Sequence, residues 1–137
     1  MLHGGSDLKD VTALIVDDDR ETRDLFAEIL VLQGARVLLA ASAAEAFDIV
    51  QREAPDVLVM DIGMPNENGF SLLARIRVLE AAKAVRPTPA VAVTAYAGAG
   101  ARAEAQRAGF AAYLSKPAPP DDVVTAILQV LPSPRRT

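Results

Sequence analysis

An α/β fold, a doubly wound sheet of five parallel strands with five helices, is predicted by three features of the sequence. Short apolar runs alternate with segments of helical periodicity about five times along the chain. Three of the runs, Ala13-Leu-Ile-Val16, Val57-Leu-Val-Met60 and Ala111-Ala-Tyr-Leu114, are continuously apolar, as strands covered on both faces are. Charged residues follow each of them: Asp17-Asp18, Asp61 and Lys116-Pro117. In an open α/β sheet the carboxyl ends of the strands are where ligands bind.

Val11–Val16 is the first predicted strand. Arg20–Gln33 follows as a helix, because Leu25, Phe26, Ile29, Leu30 and Leu32 recur at helical spacing and Gly34 fits the left-handed stop position. Arg36–Ala40 is the second strand. Ser42-Ala-Ala-Glu45 is a capping box opening the second helix, whose apolar face is Ala46, Phe47, Ile49 and Val50; Ala54-Pro55 breaks it. Asp56–Met60 is the third strand. The third helix runs from Gly69 to about Ala84 and packs through Phe70, Leu72, Leu73, Ile76 and Leu79. Arg86-Pro-Thr-Pro89 cannot be helix interior, and Ala90–Thr94 is the fourth strand. Ala99–Ala108 is a short alanine-rich helix stopped by Gly109, and Ala111–Leu114 is the fifth strand. Asp121–Leu131 is the last helix, entered through Pro119-Pro120 and capped by acidic side chains. Residues 1–9 are expected as a flexible tail, 10–131 as the domain, and 132–137 as a tail or linker.

With 137 residues, of which 51% are apolar, the chain is expected to form one globular domain with a sizeable core. It has no cysteine, which excludes disulfides and thiolate metal sites and fits a reducing compartment. The first ten residues hold no apolar core of signal-peptide length, and no run approaches the roughly 18–20 apolar residues of a membrane span. A net charge of −4 gives no reason to expect nucleic-acid binding. The expectation is a soluble, cytoplasmic domain with neither membrane nor nucleic acid as partner.

Asp17, Asp18 and Asp19 open the first helix. Asp18-Asp-Arg-Glu21 matches a relaxed capping box, but a cap needs one acid and here there are three. Adjacent acids repel one another, and a divalent cation removes that cost. With the first and third strands as neighbours, Asp61 lies beside Asp17 and Asp18. Carboxylate oxygens plus water suit Mg²⁺, and the backbone carbonyl of Gly63 is a further candidate ligand. Read alone, Asp61 is a turn acid before Gly63 and Pro65. A carboxylate is also a competent phosphoryl acceptor, forming an acyl phosphate. Mg²⁺ and Lys116 would neutralise the transferred group, and Thr94 would donate a hydrogen bond to it. Pro117 is a candidate for a cis peptide that aims Lys116 inward. The sole histidine, His3, sits in the expected tail.

Taken in order, Val16-Asp17-Asp18, Met60-Asp61-Ile-Gly-Met-Pro65 with Gly69, Val93-Thr94-Ala95 and Tyr113-Leu-Ser-Lys116-Pro117 resemble a response-regulator receiver domain of two-component signalling. The resemblance covers about residues 10–131 and implies a flavodoxin-like sheet of order 2-1-3-4-5. It implies that Asp61 is the phosphoacceptor, that Asp17, Asp18, Asp61 and the Gly63 carbonyl bind Mg²⁺, and that Thr94 and Lys116 contact the phosphoryl group. Tyr113 would be the switch aromatic, swinging inward as Thr94 moves. The donor would be a histidine kinase or a histidine phosphotransfer protein, and residues 98–131 would form the face that meets a downstream protein. Such a domain is no enzyme with an external substrate; it catalyses its own phosphorylation and dephosphorylation. Asn68 and Ala118 depart from the family pattern, which favours an aspartate and a large apolar residue there. Gly63 and Tyr96 stand at the two variable positions that tune phosphoryl lifetime. With no side chain at one and an aromatic able to shield the site at the other, a long-lived phosphoryl group is expected.

Three other classes fit less well. A haloacid-dehalogenase-like phosphatase wants a second acid two residues after its nucleophile, where this chain has Gly63. Gly98-Ala-Gly100-Ala-Arg-Ala103 formally fits a relaxed dinucleotide fingerprint, but it follows the fourth strand and lacks the acid at the end of the next one. A pseudo-receiver that only binds partners would lack an essential position, and all are present. Within the receiver reading, the long stretch from Arg77 to Pro89 leans toward a receiver from a hybrid histidine kinase over a stand-alone regulator.

Overall fold

The computed structural model describes residues 7–96 and 98–132. Strands β1 (Thr12–Val16), β2 (Arg36–Ala40), β3 (Val57–Met60), β4 (Ala90–Thr94) and β5 (Ala112–Ser115) alternate with helices α1 (Arg20–Leu32), α2 (Ala43–Glu53), α3 (Gly69–Lys83), α4 (Ala101–Ala108) and α5 (Pro120–Val130). All strand pairs are parallel, in the order β2-β1-β3-β4-β5. This is the doubly wound sheet that the sequence predicts.

Strand alternation divides the core in two. Leu14, Val16, Leu58, Met60 and Ala92 face Ile49 of α2, Leu72, Leu73 and Ile76 of α3, and Ala105 of α4. Ala13, Ile15, Val57, Val59, Val91 and Val93 face Phe26 and Leu30 of α1 and Val123 and Ile127 of α5. The central strands β3 and β4 are buried throughout, and β1 nearly so. The run Ala111–Leu114, expected to be covered on both faces, is instead an edge strand one residue later: only Tyr113 of β5 is buried. It has β4 on one side and, among the described residues, no strand on the other.

Helix α1 buries Phe26 and Leu30, whereas Leu25 and Leu32, expected on its packing side, are 49% and 63% exposed. At 3.6 residues per turn they lie roughly 120–140° round the helix from the Phe26–Leu30 row, too far to reach the sheet. The N-cap of α1 is Asp19, not Asp18: its carboxylate accepts from the Thr22 N–H at 3.0 Å and from the Thr22 hydroxyl. Asp17 and Asp18 are thus released from capping. Ser42 caps α2 as predicted, accepting from the Glu45 N–H at 3.1 Å. Asn68 caps α3, accepting from the Ser71 N–H at 2.9 Å, the task an aspartate would perform there. In α5, Asp121 and Asp122 lie in the first turn without a side-chain cap, so they favour the positive end of the helix through charge alone.

The folded unit begins before residue 10. Leu8, expected in a tail, is fully buried in the α1–α5 side of the core, and its N–H donates to the Gln33 carbonyl at 2.8 Å. His3 lies outside the described residues. Most of the stretch from Arg77 is helix, with residues 84–89 left as the connection to β4. Buried Glu80 stitches it: one carboxylate oxygen accepts from Arg77 at 2.7 Å and the other from the Thr88 N–H at 2.8 Å.

Candidate functional site

The strand order brings the ends of β1, β3, β4 and β5 to one edge. Asp17 and Asp61 each continue the ladder by one residue, Asp17 N–H donating to Ala40 at 3.1 Å and Asp61 N–H to Val16 at 2.9 Å. Lys116 N–H likewise donates to the Thr94 carbonyl at 2.9 Å. The backbone that carries each charged group is therefore pinned to a neighbouring strand.

From there the side chains converge. The Lys116 ammonium donates to Asp17 Oδ2 at 2.8 Å and to Asp61 Oδ2 at 3.1 Å. Asp17 Oδ1 accepts the Asp19 N–H at 2.9 Å, and Asp61 Oδ1 accepts the Gly63 N–H at 3.0 Å. Asp17 and Asp61 are buried and Asp18 is exposed. Each of the three offers a carboxylate oxygen, all within 4.8 Å of one another. Lys116 compensates one of these three charges and leaves two. An all-oxygen donor set with two uncompensated negative charges fits a hard divalent cation such as Mg²⁺.

Burial pushes the Asp17 carboxyl up from its ordinary value; Lys116 opposes the push and the charge of Asp61 adds to it. Burial alone would lower the Lys116 ammonium, but its hydrogen bonds and charge pairing with Asp17, then Asp61, outweigh that and raise it. The lysine is held protonated. The Lys116–Pro117 peptide is cis.

Two glycines shape the loop that carries Asp61. A Cβ on Gly69 would stand 2.8 Å from the Asp61 carbonyl oxygen and 2.9 Å from Ile62 Cα, so α3 approaches this loop as only a glycine allows. A Cβ on Gly63 would stand 4.0 Å from Asp61 Oδ1, so a side chain at this position would lie beside the carboxylate, and the glycine leaves that approach open.

Thr94 is fully buried at the end of β4, and its Oγ1 accepts the Tyr96 N–H at 2.9 Å. Tyr113 is turned inward, its hydroxyl donating to the Tyr96 carbonyl. The Tyr96 hydroxyl donates to Glu104 Oε1 of α4 at 2.9 Å, which raises the phenol's pKa, and its ring meets Phe70 of α3 edge-on at 5.9 Å. The Arg102 guanidinium sits 5.0 Å above the Tyr113 ring. Ala118 lines a shallow groove with Thr22, Leu25, Phe26, Lys116 and Pro117.

The predicted site residues Asp17, Asp18, Asp61, Gly63, Thr94 and Lys116 thus gather at one edge, with Tyr113 one contact away from it. Three further residues contribute. Arg23 donates to the Asp17 carbonyl at 2.8 Å, and its position one turn past the Asp19 cap is the signal that could have found it. Glu104 reaches Tyr96 across the β4–α4 connection and Arg102 reaches Tyr113 across the α4–β5 connection, and neither connection gives a fixed spacing.

A family model described as the response regulator receiver domain matches residues 13–128. An uncharacterized 14.6 kDa protein from Leptolyngbya boryana is 41% identical over 122 residues, covering 89% of this chain and 91% of that protein. The transcriptional regulatory protein CpxR of Escherichia coli is 32% identical over 86% of this chain, which spans only 48% of CpxR. Among solved structures, the Vibrio cholerae chemotaxis protein CheY4 superimposes with a TM-score of 0.80 at 27% identity, covering 88% of this chain and 98% of that one. The family match and the relatives agree with the order of strands and the acidic edge: the chain belongs to the response-regulator receiver domains of two-component signalling.

Proposed function

We propose that this domain is a Mg²⁺-dependent switch that accepts a phosphoryl group on Asp61 from a histidine kinase or a histidine phosphotransfer protein. The observation that supports it most is the Lys116 ammonium shared between Asp17 and Asp61, beside three carboxylates within 4.8 Å. Asp17, Asp18, Asp61 and the Gly63 carbonyl would hold the cation. A Mg²⁺ bound there supplies charge neutralisation for the phosphoryl oxygens.

The chain's own residues do the rest. A carboxylate oxygen of Asp61 forms a bond to phosphorus as the donor's phosphorus–nitrogen bond breaks, and the electron pair leaves with the imidazole. Such a transfer asks mainly for position and charge. Lys116 exchanges part of its contact with Asp61 for a phosphoryl oxygen. The Thr94 Oγ1 already accepts from Tyr96, so its own proton is available to the phosphoryl group. Movement of Thr94 then acts on Tyr96 and through it on Tyr113, which biases the face over residues 98–131 between two arrangements. A downstream protein reads that face. The same chemistry serves a stand-alone regulator and a receiver carried by a hybrid kinase, and a cytoplasmic setting goes with a kinase-derived phosphoryl group. Among the described residues no helix is long and apolar enough to cross a membrane.

The test is chemical trapping. After incubation with phosphoramidate and Mg²⁺, borohydride reduces an acyl phosphate of aspartate to homoserine. Peptide mapping is expected to find homoserine at position 61. Homoserine at another acid, or none, overturns the assignment.

A further inference from the structure

We propose that Arg23 is a positioning residue for the cation site: by bracing the turn Asp17-Asp18-Asp19, it fixes where the Asp18 carboxylate stands. The inference rests on the Mg²⁺ reading above and adds to it a residue that acts through the backbone of Asp17 and Asp18.

Asp18 is the member of the acidic cluster that the fold does not hold by its side chain. The Oδ2 atoms of Asp17 and Asp61 accept from Lys116, and their Oδ1 atoms accept the N–H groups of Asp19 and Gly63. Asp18 is exposed, and among the described residues its carboxylate has no hydrogen bond or ion pair. Such a side chain is placed only by the backbone beneath it. That backbone is the three-residue connection from the end of β1 to the start of α1.

Arg23 closes this turn from both ends. Its backbone N–H donates to the Asp19 carbonyl at 3.0 Å, a bond of the first turn of α1. Its guanidinium folds back, and Nη1 donates to the Asp17 carbonyl at 2.8 Å. That carbonyl belongs to the same planar peptide as the Asp18 N–H, so holding the oxygen sets the direction in which the chain enters Asp18. The Asp19 N–H, bound to Asp17 Oδ1 at 2.9 Å, sets the direction in which the chain leaves it. Both peptides that flank Asp18 are thereby fixed. Arg23 is half-buried, and Phe26 and Leu30 further along α1 anchor the helix in the core. A charged donor makes a stronger hydrogen bond than a neutral one. A ligand oriented before the cation arrives loses less freedom when the cation binds. The charge of Arg23 acts in the opposite sense: a guanidinium near an acidic cluster repels a divalent cation, so removing the charge alone tightens binding. The positioning effect and the charge effect therefore differ in sign.

The experiment compares wild type with Arg23→Met, which keeps an apolar stem and lacks the donor, and with Arg23→Lys, which keeps a charged donor. Calorimetric titration with magnesium chloride reads the affinity. NMR relaxation of the backbone amides without Mg²⁺ reads the order of the turn. Arg23→Met is expected to bind Mg²⁺ about fivefold more weakly, the effect of losing one hydrogen bond. The order parameter of its Asp18 amide is expected to fall from the rigid range, about 0.85, to below about 0.6, while the Leu30 amide stays rigid. Arg23 makes its contact through one nitrogen, so Arg23→Lys is expected to restore most of the affinity and the order, a rescue that a general packing role would not show. Unchanged or tighter Mg²⁺ binding in Arg23→Met, a rigid Asp18 amide in that variant, or an Arg23→Lys protein as weak as Arg23→Met would overturn the proposal. Absence of Mg²⁺ binding to wild type would instead overturn the metal reading beneath it.

Discussion

Asp17 sits between two opposing forces, burial that disfavours its charge and Lys116 that favours it. Its folded pKa lies above the ordinary 3.8, so ionisation of this group costs stability. The cost is absent below about pH 3.8 and present in full once the pH has risen through the raised folded value. Lys116 runs the other way: with its pKa raised above 10.5, it contributes stability that is complete below that pH and lost as the pH climbs through the folded value. Without Mg²⁺ at pH 7, Asp17→Asn is therefore expected to melt above wild type, with the gap narrowing as the pH falls toward the ordinary carboxyl value. Scanning calorimetry of both proteins checks this; a variant that melts lower at pH 7 would mean that the Lys116 bond outweighs the burial cost.

At the scale of elements, the hairline fit is between α3 and the loop after β3. An alanine at position 69 meets backbone atoms at 2.8 and 2.9 Å, and backbone cannot rotate out of the way. Gly69→Ala is expected to destabilise the domain by about 1–3 kcal/mol, as overpacking does, and to slow phosphorylation because the Asp61 loop must shift. Urea unfolding and the rate of adduct formation report the two effects; an unchanged pair would show that the loop yields freely.

The elements were legible where one local rule acted alone. Val57–Met60 is continuously apolar and is buried throughout, and Ser42 with Glu45 fixes a helix start by a bond that depends on spacing. Legibility failed where tertiary neighbours decide. Ala111–Leu114 has the composition of a central strand, yet its place at the sheet edge follows from strand order, not from its own residues. Leu25 and Leu32 fit a helical stripe but miss the sheet, and Leu8 is buried because the chain before β1 folds back on Gln33. At the site, the acids and the lysine stood out because each follows an apolar run. Glu104 did not, because only the path of the α4 loop brings it to Tyr96.

For the whole molecule, charge and linkage set the behaviour. On the function proposed above, two uncompensated carboxylate charges at one sheet edge would make the folded state a better ligand for Mg²⁺ than the unfolded chain. At a Mg²⁺ concentration a hundred times the Kd, linkage adds about 2.7 kcal/mol to stability. Wild type is expected to show that rise in melting temperature. Asp18→Ala, which alters an exposed residue, is expected to stay folded and lose both the rise and the phosphorylation. Full retention of phosphorylation in Asp18→Ala would remove Asp18 from the site.

The most direct measurement is intact mass after incubation with acetyl phosphate, with and without Mg²⁺, on wild type and Asp61→Asn. A single phosphoryl adduct that requires Mg²⁺ and is missing from the variant is the predicted result. No adduct on wild type, or an adduct that persists in Asp61→Asn, would contradict the assignment of Asp61 as the acceptor.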